Sequence, residues 1–131
     1  MITTGGLLGT LEAFSASVPT SFLPSLNLSQ YALVRVLKKF GACPQSMDWN
    51  EYTKINEDLG NLSEGSAIME MGRYAKIVDE NENLCAKFVE DFSRMALVVP
   101  NDAEQKKFSA YVGSSGADEI VDILKERWEL F

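Results

Sequence analysis

The side chains with the clearest chemical spacing in this chain are the acidic and amide groups that begin at Asp79. Counting Asp79 as position one, Asn81, Asn83 and Glu90 fall at positions three, five and twelve. These are oxygen-ligand positions of an EF-hand calcium loop, whose sixth position requires a glycine for its sharp turn and is Leu84 here. Three interpretations stay open: a solvated helix face, which we favour, a calcium loop, and a bend between two helices.

Other reactive groups are sparse. The sequence contains no histidine, which removes the commonest general base and every histidine-dependent nucleophile pair or metal site. Cys43 and Cys85 are too few for a four-thiolate metal site. They form either one disulfide or, as we favour, two free thiols that are buried as small hydrophobic side chains. The carboxylates near the C-terminus are spaced as an outer charged helix face: Asp118, Asp122, Glu126 and Glu129. We therefore predict a non-enzyme with no catalytic, cofactor-binding or metal-binding residues.

Composition limits the class of partner. The 131 residues are 46% hydrophobic, enough for one domain with a real core, and carry 12 Lys and Arg against 19 Asp and Glu. A formal net charge of -7 repels phosphate backbones, and the densest basic cluster is only Arg35, Lys38 and Lys39, so no nucleic-acid partner is expected. No apolar run reaches the roughly 18 residues of a membrane span. We expect a soluble protein, cytoplasmic or organellar (stromal or lumenal).

Helical periodicity begins near Ser29, a candidate N-cap. Apolar residues then recur at helical spacing up to Gly41, which we expect to end the helix. Asp48 and Glu51 have the spacing of a capping box and predict a second, shorter helix that Gly60 stops. A cap at Asn101 or Asp102 and a turn before Gly116 predict two further helices, the last carrying Ile120, Val121, Leu124 and Trp128.

The longest periodic stretch lies between Ser63 and Pro100. Its periodic positions, apolar apart from one asparagine, are alternately four and three residues apart, without a skip: Ala67, Met71, Tyr74, Val78, Asn81, Cys85, Phe88, Phe92, Met95 and Val99. This spacing predicts one long helix over about residues 64–98. The fold class expected is all-α, a small antiparallel helical bundle built on that long central helix, with a mostly extended N-terminal arm. We divide the chain into the arm, residues 1–28, and a helical bundle domain, residues 29–131.

The arm is unusual because residues 1–34 contain a single charged side chain, Glu12. We expect a short helix over Leu7 to Ser15 and an extended segment through Leu26, since Pro19 and Pro24 disfavour helix in the residues that precede them. Left in water, the arm would expose much apolar surface, so either it folds back onto its own bundle or it docks on a partner. The partner-binding candidates are Leu7, Leu8, Leu11, Phe14, Phe22, Leu23 and Leu26.

We therefore predict a non-enzymatic interaction or structural subunit that docks on a larger protein assembly through the arm and the bundle surface. The organisation is similar to that of extrinsic subunits of larger assemblies, including those on photosynthetic membranes, which implies peripheral association with a membrane complex as one form of docking. The alternative is a small-ligand or calcium-binding helical protein, with the bundle interior or the Asp79 segment as its site.

Overall fold

The computed structural model describes residues 1–54 and 58–112, and this part of the chain is mostly helical. The helices are α1 (Leu7–Ser15), α2 (Leu28–Lys39), α3 (Glu64–Glu80), α4 (Glu82–Leu97) and α5 (Ala103–Val112). Two short 3₁₀ turns lie between α2 and α3, at Trp49–Glu51 and Leu59–Asn61. The antiparallel arrangement of the bundle stays a prediction. The helix expected after Gly116 lies outside the described residues.

The N-terminal arm is built into the domain. Its helix α1 forms over the residues predicted, while the segments on either side form a small sheet of two parallel strands, β1 (Ile2–Thr3) and β2 (Ser21–Phe22), with Ile2 opposite Ser21. Phe22 also donates its N–H to the carbonyl of Gln45 and accepts from the N–H of Met47. These strands are too short for a period of two to show in the sequence, and so no strand was predicted.

The second helix begins and ends through local capping. The Asn27 side chain accepts from the N–H of Gln30 at 2.9 Å, so the N-cap lies two residues before the predicted Ser29. At the other end, Gly41 adopts φ +70°, its N–H donates to the carbonyl of Lys38, and the N–H of Ala42 donates to the carbonyl of Leu37. This is a Schellman motif, which confirms the predicted stop because glycine adopts that conformation without strain.

The predicted helix from Asp48 to Gly60 is wrong in extent. The reciprocal capping interactions of Asp48 and Glu51 are present, but they close only the 3₁₀ turn Trp49–Glu51. A second 3₁₀ turn, Leu59–Asn61, follows, and residues 55–57 lie outside the described part of the chain. Capping signals mark where a turn begins without fixing how far the helix continues.

The single long helix predicted over residues 64–98 is also wrong, because the chain breaks at Asn81. This residue has extended backbone angles (φ -115°, ψ 106°) and its side-chain oxygen accepts from the N–H groups of Asn83 and Leu84, both at 3.1 Å. The asparagine ends α3 and caps α4, as its side chain offers the backbone an alternative to helical bonding. Because no residue is inserted at the break, the apolar spacing runs through it unchanged and does not reveal it.

A pair of proline variants tests this break. Glu82 is the first residue of α4, where proline is tolerated, and the extended conformation of Asn81 suits the residue before a proline. Ala86 lies inside α4, where proline removes a backbone donor and clashes with the preceding turn. We expect Ala86→Pro to cost about 3 kcal/mol or more in urea-unfolding free energy, and Glu82→Pro to cost much less. Equal, large losses in both variants would instead indicate a continuous helix.

Among the described residues, the buried hydrophobic side chains form two clusters. The first joins α1, β2, α2 and α5, and its members are Phe14, Phe22, Leu33, Val34, Val36, Leu37, Ala42, Phe108 and Val112. The second lies mainly between α3 and the segment before it, and its members are Leu28, Met47, Trp49, Tyr52, Leu59, Ala67, Met71, Tyr74, Val78 and Met95. Helix α4 contributes only Met95 to this buried set.

Candidate interaction surface

The structure separates the seven partner-binding candidates of the arm. Phe14 and Phe22 are buried, at 2% and 0% exposure, and their rings meet edge to face at 6.5 Å. Leu7, Leu11 and Leu23 are half-buried against the two core clusters. Leu8 and Leu26 are exposed, at 67% and 51%. The two phenylalanines are therefore interior side chains in this fold, and partner docking stays a prediction for the exposed leucines alone.

Buried polar contacts hold the arm in place. The Gln105 side chain on α5 is 1% exposed, accepts from the N–H of Thr20 at 3.0 Å and donates to the carbonyl of Thr20 at 2.7 Å. The indole N–H of Trp49 donates to the carbonyl of Ser25 at 2.8 Å. A lone glutamine in a helix gives no sequence signal for a partner 85 residues away, so this contact was not predicted.

The calcium-loop interpretation of the Asp79 segment is wrong. Residues from Glu82 to Glu90 lie within α4, and the Asn81 side-chain oxygen is engaged in capping. Glu90 pairs with Arg94 at 2.8 Å, as an ordinary pair along a helix. Within residues 1–54 and 58–112, no group of three or more acidic, cysteine or histidine side chains is arranged to hold a metal ion. The bend between two helices is the interpretation that the structure supports.

Both cysteines are free thiols in this structure. Cys43 is half-buried against the first core cluster, and burial raises the pKa of its thiol, with opposing contributions from Ser46 and Lys38. A raised pKa lowers the thiolate fraction and makes Cys43 a poor nucleophile at neutral pH. The disulfide considered from the sequence is therefore absent from this structure, and the favoured interpretation, buried hydrophobic thiols, fits Cys43.

One face of α4 packs against the 3₁₀ turn Trp49–Glu51 and the residue that follows it. The ring of Phe88 lies 6.5 Å from that of Trp49 and 5.2 Å from that of Tyr52. The Tyr52 hydroxyl donates to Asp91 at 2.9 Å, and the Lys87 ammonium both pairs with Asp91 at 2.8 Å and lies 4.3 Å from the Tyr52 ring centre. These contacts fix the rotation of α4 about its own axis.

The ionisation of this contact is also set by its surroundings. Burial raises the pKa of Tyr52, and the Asp91 carboxylate adds to the rise by accepting its hydrogen bond. The pKa of Asp91 is lowered, first by the hydrogen bond from Lys87 and then by that from Tyr52. At neutral pH the tyrosine is therefore a neutral donor and the aspartate an ionised acceptor, so the contact that orients α4 is fully formed.

The remaining face of α4 is exposed among the described residues and, after Glu82 in the first turn, is uncharged. We call it the α4 surface, and its exposed members are Ala86, Val89, Phe92, Ser93, Ala96 and Leu97. Exposure reaches 56% for Val89, 38% for Phe92 and 86% for Leu97. Val98 and Val99 extend the apolar run past the helix end, at 52% and 78%. The apolar arc of α4 is thus wider than the face that packs against described residues.

The spacing of the α4 surface explains why the periodic series in the sequence contains only part of it. Phe92 and Val99 belong to the periodic series. Val89 and Ala96, each three residues earlier, do not belong to it. The distribution of charge around the whole helix is the sequence feature that indicates the α4 surface. The charged residues of α4 are confined to five positions: Glu82, Lys87, Glu90, Asp91 and Arg94. After the first turn, which carries Glu82, a broad arc of the helix has no charge, and this arc exceeds what one packed face requires.

Arg35 and Lys38 of the basic cluster, and two lysines of α5, are paired with carboxylates. Arg35 contacts both oxygens of Asp58 at 2.8 Å, and Asp58 also accepts from the Tyr31 hydroxyl at 3.0 Å. Burial raises the pKa of Tyr31 to about 12, and the hydrogen bond to Asp58 adds to that rise. Three lysines are paired in the same way: Lys38 with Asp48, Lys106 with Asp102, and Lys107 with Glu104. These pairs reduce the positive potential that a phosphate backbone would need.

Comparison with other proteins adds no constraint on this surface. Among the helices that the structure describes, none has both the length and the apolarity needed to cross a membrane. No family model, curated protein or solved structure matches the chain.

Proposed function

We propose that this chain is a non-enzymatic protein-interaction subunit whose α4 surface is covered by another protein. The observation that carries the proposal is the exposed, charge-free arc of α4, centred on Val89 and Phe92. Contiguous apolar surface of this kind is uncommon on proteins that act alone and is typical of interaction sites.

The energetics favour a protein partner. Full burial of a side chain such as Val89 or Phe92 contributes about 1.5–3 kcal/mol relative to leaving it exposed. Because the α4 surface has no ionised group, covering it requires no desolvation of charge. The Ser93 hydroxyl already donates to the carbonyl of Val89 at 2.7 Å, so burial does not orphan it. The lack of histidine and the ion pairing of many charged groups support a non-enzymatic role.

A photo-crosslinking experiment in the cells that produce the chain tests the proposal. Benzoylphenylalanine in place of Phe92 is expected to give discrete covalent adducts with protein, detected as bands of higher mass. The matched control carries the same group in place of Ala110, an exposed residue of α5. Adducts from the α4 position alone support the proposal, whereas no adduct there, or identical adducts from both positions, contradicts it.

A further inference from the structure

The centre of the α4 surface holds two larger and two smaller side chains in a self-complementary order. Consider two α4 helices that run antiparallel about a two-fold axis between Phe92 and Ser93. Val89 of one copy then lies opposite Ala96 of the other, and Phe92 lies opposite Ser93. Val89 and Phe92 thus each meet a small side chain, which allows the ridges of one helix to enter the grooves of the other, while Leu97 lies opposite Phe88.

The charges at the edge of the α4 surface are complementary in the same arrangement. Glu90 and Arg94 lie along one edge, where they pair with each other at 2.8 Å and their side chains stay 71% and 65% exposed. Antiparallel pairing brings the same edge of both helices together, so Glu90 of one copy lies beside Arg94 of the second copy. The two-fold axis repeats this contact, which gives two ion pairs per dimer.

We propose that the α4 surface is covered by the α4 surface of a second copy of this chain, in an antiparallel two-fold dimer. The inference rests on the proposed function, because it names the partner for the same surface. Two-fold dimers are the commonest oligomers of soluble proteins, and their interfaces must be self-complementary. The α4 surface meets that requirement in both side-chain size and edge charge.

Sedimentation equilibrium of the full chain, from micromolar to submillimolar concentration, measures the dimer. We expect a reversible monomer–dimer equilibrium. Phe92→Asp introduces two carboxylates close to the two-fold axis, at the centre of the interface, and should raise the dissociation constant about 30-fold or more, as expected of a central aromatic contact. Met69→Asp places the same charge on an exposed apolar side chain of α3 and should leave the constant unchanged.

A charge exchange tests the orientation of the two helices. Glu90→Arg and Arg94→Glu each replace the two intermolecular attractions by repulsions and should raise the dissociation constant about five-fold. The double variant restores opposite charges across the interface and should return the constant close to its original value. Melting temperatures at a concentration where all variants are monomeric report any effect on the monomer itself.

Three results would overturn the dimer: a chain that stays monomeric at every concentration, a dimer that Phe92→Asp does not weaken, or a double charge variant that does not recover. The cross-linking experiment tests the proposed function separately from the dimer. A monomeric chain whose α4 surface still cross-links to a different protein overturns the dimer and keeps the interaction role. Adducts of twice the mass of the chain support both, and a monomer without adducts overturns both.

Discussion

Phe22→Ala is expected to lower the free energy of unfolding by about 3–5 kcal/mol, a large part of the stability of a domain this size. The ring is completely buried, meets Phe14 edge to face, and belongs to the cluster that also holds Leu33 and Phe108. Truncation removes the apolar contacts and leaves a cavity, since the surrounding helices relax only partly. Urea denaturation of the isolated chain, followed by circular dichroism, measures the loss.

Leu8→Ala is the matched control for this variant. Leu8 belongs to the same arm and is 67% exposed, so its truncation should change the unfolding free energy by no more than about 0.5 kcal/mol. A large loss for Phe22→Ala beside a small one for Leu8→Ala shows that the arm is part of the core. If instead both variants were neutral in the isolated chain, the arm would not stabilise it. That result would favour docking of the whole arm on a partner.

The arm illustrates what local sequence signals convey. The helix Leu7–Ser15 and the disruption near Pro19 follow from residue types at short range and were predicted. The near absence of charge indicated that the arm must be covered, but either the chain's own bundle or a partner could cover it. Choosing between them depended on contacts over long sequence separation, such as Thr20 with Gln105. No short-range pattern encodes such a contact.

The α3–α4 region shows a different limit. Periodicity identified the buried face of α3 correctly from Ala67 to Val78, and in α4 it identified Met95, while Phe92 of the same series is exposed. It missed the break because the Asn81 cap interrupts the helix without changing the count of residues. Asparagine is a frequent helix cap, and the Asn81 cap lies in the Asp79 segment, for which a bend between two helices was one of the interpretations. Spacing therefore predicted which side chains share a face, while side-chain bonding to the backbone decided where the helix ends.

The candidate surface was only partly accessible to sequence reasoning. An apolar periodic face predicts burial, and the sequence does not say whether the cover comes from the same chain or from another. Phe88 and Phe92 are four residues apart in one periodic series, yet Phe88 packs on Trp49 while Phe92 lies in the α4 surface. The rotation of α4 that separates them is fixed by the contacts of Tyr52 and Asp91. These contacts are properties of the assembled fold.

Gln105→Glu is expected to destabilise the chain by about 3–5 kcal/mol at neutral pH, in a strongly pH-dependent way. The substitution keeps the shape of the side chain and replaces its amide nitrogen by oxygen. That nitrogen donates to the carbonyl of Thr20 at 2.7 Å, in a site where Gln105 is 1% exposed. An ionised carboxylate there loses the donated hydrogen bond, faces the carbonyl oxygen of Thr20, and is buried without a cation.

The direction of the pH dependence follows from the same geometry. Burial and the facing carbonyl both disfavour the charged form, so the pKa of the introduced carboxyl in the folded variant is raised above its unfolded value of about 4.3. Below that unfolded value the protonated acid donates to the Thr20 carbonyl, and the variant should approach the stability of the original chain. The stability difference then grows as pH rises from the unfolded pKa through the folded one, and becomes constant above it.

Denaturation midpoints of both proteins across a pH series measure this difference directly, because subtraction removes the pH dependence that the two chains share. Gln105→Leu is the control: it leaves the N–H and carbonyl of Thr20 without their partner at every pH, so it should cost about 1–3 kcal/mol per unsatisfied group without a pH-dependent component. A difference for Gln105→Glu that did not vary with pH would mean that the introduced carboxyl reaches water. In that case the contact between α5 and Thr20 would not be buried. It would then not hold the arm in place in the way that its two hydrogen bonds indicate.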